Sequence, residues 1–294
     1  MIHARMAGPS RRTLLGASAA LALDACARRA AQAPAAGETG KSLEWAIAGD
    51  WRSPEDRARD RWRHPLESLR FWGLAPGMTA VELWPGAGWY TDIIAPFLTT
   101  THGTLYAANL EADDRAGSAA RAIVEAYKRK LATRADLYRS VTVTAFGPRS
   151  APVAPAGSAD LVLFLRNLHN WMAAGLAERA FHEALTALKP GGVLGVEEHR
   201  ARPGGVQDVL ASTGYVQEAY VKQMAKEAGF DLVASSEINA NPKDDHNHPF
   251  GVWTLPPTRL SAPRGQPPDP RFDHGPYDAI GESDRMTLKF AKPG

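Results

Sequence analysis

Residues Val81–Thr91 read V-E-L-W-P-G-A-G-W-Y-T. A short apolar strand ends in an acid and a Gly-x-Gly turn, and the turn opens straight into a helix. Such a turn lets bare backbone approach a nucleotide-like ligand, with an acid close by for a hydroxyl or ammonium group. Gly-x-Gly alone occurs in many loops, so the weight lies on three later segments at suitable distances: Gly103–Asn109, Ser158–Trp171 and Leu188–His199.

Working outward, Thr79–Trp84 is the first strand and Trp89–Leu98 the helix after the turn. Thr104–Asn109 and Val141–Ala145 are further strands, separated by a helix over Ala116–Ala132. Leu161–Leu165 is apolar without alternation, as expected of a strand buried on both faces. A helix over Ala174–Leu188 stops at Lys189-Pro190-Gly191-Gly192. Strands at Val193–Glu197, Asp231–Ile238 and Met286–Ala291 come next, with a helix over Tyr215–Ala228 and a long proline-rich loop over 239–281. Upstream, Ser53-Pro54-Glu55-Asp56 is a capped helix start, and that helix should run to Trp72. Its Arg57, Arg59, Asp60, Arg61 and Arg63 read as a solvated face. Strands and helices alternate through crossovers long enough for βαβ units. The fold class is therefore α/β: a single doubly wound, mostly parallel seven-stranded sheet with a long loop before the last strand.

The chain has 294 residues, 44% hydrophobic and 22% charged, enough for one full α/β core. Formal net charge is +2, but residues 1–33 hold five arginines against Asp24, leaving 29 basic and 31 acidic residues in the body. That balance disfavours a nucleic-acid partner. Ser10-Arg11-Arg12-Thr13-Leu14-Leu15 precedes an Ala/Leu-rich run, the pattern of a twin-arginine export signal. Leu23-Asp24-Ala25-Cys26 resembles a lipoprotein box, with Asp24 in place of a small neutral residue. The expected organisation is a leader over 1–33, a flexible tether over 34–50 and one domain over 51–294. The protein would be periplasmic or otherwise exported, anchored to the membrane if Cys26 is lipidated.

Residues 66–238, with 284–292 as a final strand, resemble the class I S-adenosylmethionine-dependent methyltransferases. Glu82, Gly86 and Gly88 match the family's first motif, while Trp84 occupies its first glycine position. Asn109 stands where an acid usually holds the ribose, with Glu111 two residues on. Ser158–Asp160 with Leu161–Leu165 and His169-Asn170-Trp171 looks like the fourth-strand motif, and Leu188–Leu194 like the segment entering the fifth strand. W-P-G-x-G-W-Y-T, R-N-x-H-N-W and G-E-S-D-R-M-T-L-K-F are similar to a group of exported bacterial methyltransferase-like proteins. The resemblance implies a Rossmann-like methyltransferase fold with strand order 3-2-1-4-5-7-6, the last-formed strand antiparallel. It also implies S-adenosylmethionine as cofactor and a small-molecule substrate. Glu82, Trp84, Gly86, Gly88, Asn109, Glu111 and Asn167 are its cofactor-site positions.

Methyl transfer needs alignment, exclusion of water and, for some nucleophiles, a base. His169 is the candidate base, since imidazole titrates near neutrality. Asn170, Glu198 and His199 join it as catalytic candidates, with Arg200 as an anion partner and Tyr90 within reach. Trp84 either fills part of the cofactor site, forms its wall or packs in the core. Asp244-Asp245-His246-Asn247-His248 could ligate a divalent metal, though a solvated turn is the default and no metal site is assigned. Two other functions compete with transfer: an exported ligand-binding module that keeps the fold, and a metal-dependent hydrolase built on His246 and His248.

Overall fold

The computed structural model describes residues 40–113 and 117–294. The leader, Cys26 and residues 34–39 of the tether lie outside them. Thr79–Leu83 (β1) is apolar except for Thr79 and Glu82 and buried almost throughout, as expected of a central parallel strand. It pairs in parallel with Thr104–Leu110 (β2) on one side and Ala159–Leu165 (β4) on the other. Val141–Phe146 (β3) extends the sheet beyond β2, and Leu188–His199 (β5) extends it beyond β4, both parallel. Arg285–Ala291 (β7) then runs antiparallel between β5 and Asp231–Ser236 (β6). The order β3-β2-β1-β4-β5-β7-β6 is the one the resemblance implied. The expected doubly wound, mostly parallel seven-stranded sheet is what the chain forms.

Helices cover both faces because crossovers between parallel strands must pass over the sheet. One buried cluster joins β1, β4 and β5 to Leu168–Ala173 (α8), Ala177–Ala187 (α9) and Glu218–Glu227 (α10) through Trp171, Phe181 and Val221. The opposite cluster gathers Leu69, Trp72, Ile93 and Phe97. These come from Pro65–Trp72 (α4) and Thr91–Thr100 (α5). Ser118–Thr133 (α6) and Ala135–Tyr138 (α7) complete the layer beside β2.

Five local expectations change. Residues 43–50 are not tether: Leu43–Ile47 (α1) is a helix capped by Ser42, with Leu43 and Ala46 buried. The single helix expected up to Trp72 is three, Pro54–Ala58 (α2), Asp60–Arg63 (α3) and α4. The break is at His64, left-handed at φ 37°, because Pro65 disfavours a helical residue before it. The solvated face holds only for Arg57 and Arg61, which are exposed; Arg63 is buried, Arg59 pairs with the buried Glu282, and Asp60 pairs with the buried Arg52. Finally, Lys189–Gly192 belongs to β5 rather than to a stop before it, and the 239–281 loop contains a 3-10 turn at Gly251–Thr254 and a helix at Gly275–Ile280 (α11).

Candidate active site

At the tip of β1 the chain turns through Trp84, which sits at φ 50°. This left-handed conformation costs a non-glycine residue about 1–2 kcal/mol, which explains why the resembling family carries glycine here. The indole offsets that cost. Its Nε1 donates to the Phe146 carbonyl at 2.8 Å, while the residue's backbone N–H donates to the Ala108 carbonyl at 2.8 Å, as any residue there would. Its ring packs against Phe146 and meets Trp171 edge-on, with centroids 6.2 and 5.9 Å away. The Asn167 amide donates to the Trp84 carbonyl at 2.9 Å and fixes the turn from β4.

Beneath the turn, Thr91 Oγ1 donates to Glu82 Oε2 at 2.7 Å and meets the Tyr127 hydroxyl at 3.0 Å. Burial nonetheless pushes the Glu82 carboxyl up to about 7. Glu82 also lines a cavity of about 270 Å³, together with Arg59, Arg63, Trp84, Gly86, Tyr90 and Arg166. Gly86 sits at φ 60°, and a Cβ there would meet nothing within 4 Å, so the cradle is open above it. An acid and guanidinium groups around bare backbone suit the amino-acid end of an adenosyl sulfonium.

The nucleoside end is more tightly enclosed. The Trp84 indole stands between the glycine turn and the tip of β3, and neither Asn109 nor Glu111 lines the cavity. Asn109 is wholly buried, with Oδ1 accepting from Leu110 N and Nδ2 orphaned. That unmatched donor stands where the resemblance sets a ribose contact. Glu111 instead accepts from the Arg149 backbone. Gly88 serves packing, because a Cβ there would lie 3.2 Å from Lys130 Nζ and from Tyr127. Of the seven cofactor positions, Glu82, Trp84, Gly86 and Asn167 come together at one cavity; Gly88, Asn109 and Glu111 do not.

The Glu82 titration gives a first expected result. Between pH 4.5 and 7 the folded chain holds a proton that the unfolded chain releases, so stability falls by about 3 kcal/mol as pH rises through that window. Glu82→Gln keeps an acceptor for Thr91 and should flatten the slope. Urea midpoints across that pH range measure it, and an unchanged slope would show that another group is responsible.

The second centre is His169 on α8. Its Nδ1 lies 2.9 Å from Glu198 Oε1, while Glu198 Oε2 accepts the Leu168 and His169 backbone N–H groups at 2.7 and 3.3 Å. Glu198 therefore caps the helix and orients the ring, but it is wholly buried behind His169 and does not face open space. His199 stacks obliquely on His169 at 5.2 Å and pairs its Nδ1 with Ser283 Oγ at 2.6 Å. Burial, then His169 and Arg285, hold the His199 ring well below its ordinary pKa. His169, Asn170 and His199 line a cavity of about 210 Å³, roofed by Trp253, Pro256 and Pro257 from the long loop. Three of the four catalytic candidates thus meet, with Glu198 supporting them.

Between the two cavities lies an ionic cluster that sequence reasoning missed. Glu282 binds Arg59, Arg63 and Arg285 at 2.7, 2.9 and 2.9 Å. Glu197 binds Arg166 at 2.9 Å and Arg285 at 3.2 Å, and accepts from the Tyr90 hydroxyl at 3.1 Å. Burial brings the Arg63 guanidinium down to about 9, with Arg166 adding to the effect. Arg166 lies inside the R-N-x-H-N-W stretch, and Glu282 and Arg285 inside G-E-S-D-R-M-T-L-K-F, so their positions were visible and only their pairing was not; Arg63 was read as part of a solvated face. Arg200, proposed as an anion partner, is already held by Asp284 and Glu237.

The Asp244–His248 turn is not solvated as a whole. Asp244 is buried and accepts from Tyr215, the backbone of His246 and Asp284, and pairs with His248. These bonds use the carboxylate to tie the loop to the start of β7.

The sequence matches no protein-family profile. No curated protein matches it either. Several solved structures share its fold. The (4+2)-cyclase SpnF superposes with a TM-score of 0.54 at 16% identity, covering 85% of this chain and 91% of that one. A provisionally named sarcosine dimethylglycine methyltransferase from Galdieria sulphuraria gives 0.53 at 15% identity, over 81% and 86% of the two chains. A provisionally named methyltransferase from Bacillus halodurans gives 0.50 at 14% identity, over 79% and 100%. At such identities the likeness speaks for architecture alone. The chain has the Rossmann-like fold of the class I methyltransferases.

Proposed function

We propose that this protein is an S-adenosylmethionine-dependent methyltransferase acting on a small molecule. One observation carries the reading: the glycine-turn cavity and the His169–His199 cavity adjoin, with Arg63 and Arg166 lining both. A donor and an acceptor could therefore be held side by side. When bound, the cofactor supplies an electrophilic methyl group. Glu82 and Gly86, with Arg59, would hold its amino-acid end. His169 donates Nδ1–H to Glu198, which leaves Nε2 as the acceptor for the proton of an approaching nucleophile. Trp253, Pro256 and Pro257 keep water from that side.

A second reading, a ligand-binding module without transfer, is favoured by the anchored indole of Trp84. Calorimetry separates the two. Micromolar binding of S-adenosylmethionine by the parent chain supports the enzyme. Silence from the parent, with binding gained in Trp84→Gly, supports the module. The glycine variant relieves the strain at φ 50° but gives up the indole's packing and its bond to Phe146, so circular dichroism and thermal unfolding establish that it is folded before the titration. Silence from both proteins would end the cofactor assignment.

A further inference from the structure

We propose that the cavity over His169 and His199 receives a small carboxylate-bearing molecule anchored by Arg63 and Arg166. Both guanidinium groups line the cavity, and both have hydrogens to spare. Arg63 spends only Nε on Glu282, at 3.2 and 2.9 Å from its two oxygens. Its Nη1 and Nη2 meet no hydrogen-bond acceptor among the described residues. Arg166 spends only Nη1 on Glu197, which leaves Nε and Nη2 free in the same sense. None of these nitrogens is sealed from solvent, in contrast to the orphaned Nε of Arg285. They open into the cavities that the two residues line.

The pair is held in place before any ligand arrives. Arg63 lies over the Trp89 ring with its Cζ 4.8 Å from the centroid, and Arg166 lies over Tyr90 at 5.5 Å. Groups fixed in this way lose little freedom on binding, and a planar carboxylate matches a guanidinium fork. Glu282 also lines the cavity, but its oxygens are committed to Arg59, Arg63 and Arg285. The opposite wall of Val252, Trp253, Pro256 and Pro257 is apolar. It suits a hydrocarbon or aromatic body behind the charged head. The molecule's nucleophile would then lie near His169. Naming this carboxylate a methyl acceptor rests on the methyltransferase reading; its binding does not.

The probe is benzoate, with benzamide as its neutral counterpart, titrated calorimetrically into the full chain at low ionic strength. Benzoate should bind at least tenfold more tightly than benzamide. Thr258→Trp, which places a bulky ring on an exposed rim residue of this cavity alone, should lower benzoate affinity at least tenfold. Equal binding of the two probes, no benzoate heat, or benzoate binding untouched by Thr258→Trp would overturn the proposal. So would complete displacement of benzoate by S-adenosylmethionine, which would place the anion in the neighbouring cavity. If benzoate binds as described while S-adenosylmethionine does not bind, this site stands and only the methyltransferase reading falls.

Discussion

Glu282→Gln should lower the stability of the fold by about 3–5 kcal/mol, because it leaves buried guanidinium groups without their shared counter-charge. Arg63 and Arg285 are 5% and 1% exposed, so solvent cannot replace the lost carboxylate. Burial alone would raise the Glu282 carboxyl, yet Arg63, Arg285 and Arg59 together bring it down to about 2. The sign follows from that depression. Above pH 4.5 the contribution is complete, and it is lost as pH falls toward 2, where the unfolded chain binds a proton that the folded chain refuses. Thermal unfolding at pH 7 should shift down by on the order of 10 °C. The parent's stability loss between pH 4.5 and 2 should be shallower in the variant. A shift of only a degree or two, with the acid limb unchanged, would mean that the arginines find other partners.

Under the proposed methyltransferase function, His169→Gln should slow methyl transfer by about 10²–10⁴-fold, the usual contribution of a positioned base. The amide can still bond to Glu198 but cannot take up a proton. Release of S-adenosylhomocysteine, driven by the small-molecule fraction that supports turnover by the parent, provides the measurement. KM for the cofactor should change far less than kcat, since His169 does not line the glycine-turn cavity. Glu198→Gln should produce a smaller fall in kcat, because it disturbs the ring's orientation and leaves the ring in place. Full activity in His169→Gln would remove the base from the mechanism and leave positioning as the whole of catalysis.

The sheet was legible because its signals are local. The apolar run ending in Glu82, the unalternating Leu161–Leu165 and the Lys-Pro-Gly-Gly segment each report on their own few residues. His169, Asn170 and His199 were legible for a related reason: residues just beyond parallel strands gather at one edge of an open sheet. Arg63 was not, because its fate depends on Glu282, 219 positions away. Seen alone, it is one more charge in an arginine-rich helix. The break at His64 did carry a signal, the proline after it, which was outweighed by the helical pattern around it. Trp84 was recognised as an intruder among glycines. That its indole both packs on the core and walls the cavity depended on the Phe146 carbonyl and Trp171, brought near only by the fold.

The placement of β7 between β5 and β6 has a consequence for how this flank holds together. β6 is bonded to β7 and β7 to β5, so the outermost strand has no hold on the sheet except through the one that comes after it in the chain. A lesion in β7 therefore detaches two strands at once and frees Arg285 from Glu197. That half of the sheet survives or fails as a block. Its closure must wait for chain segments far apart in sequence to meet, the slowest kind of contact for a protein to make.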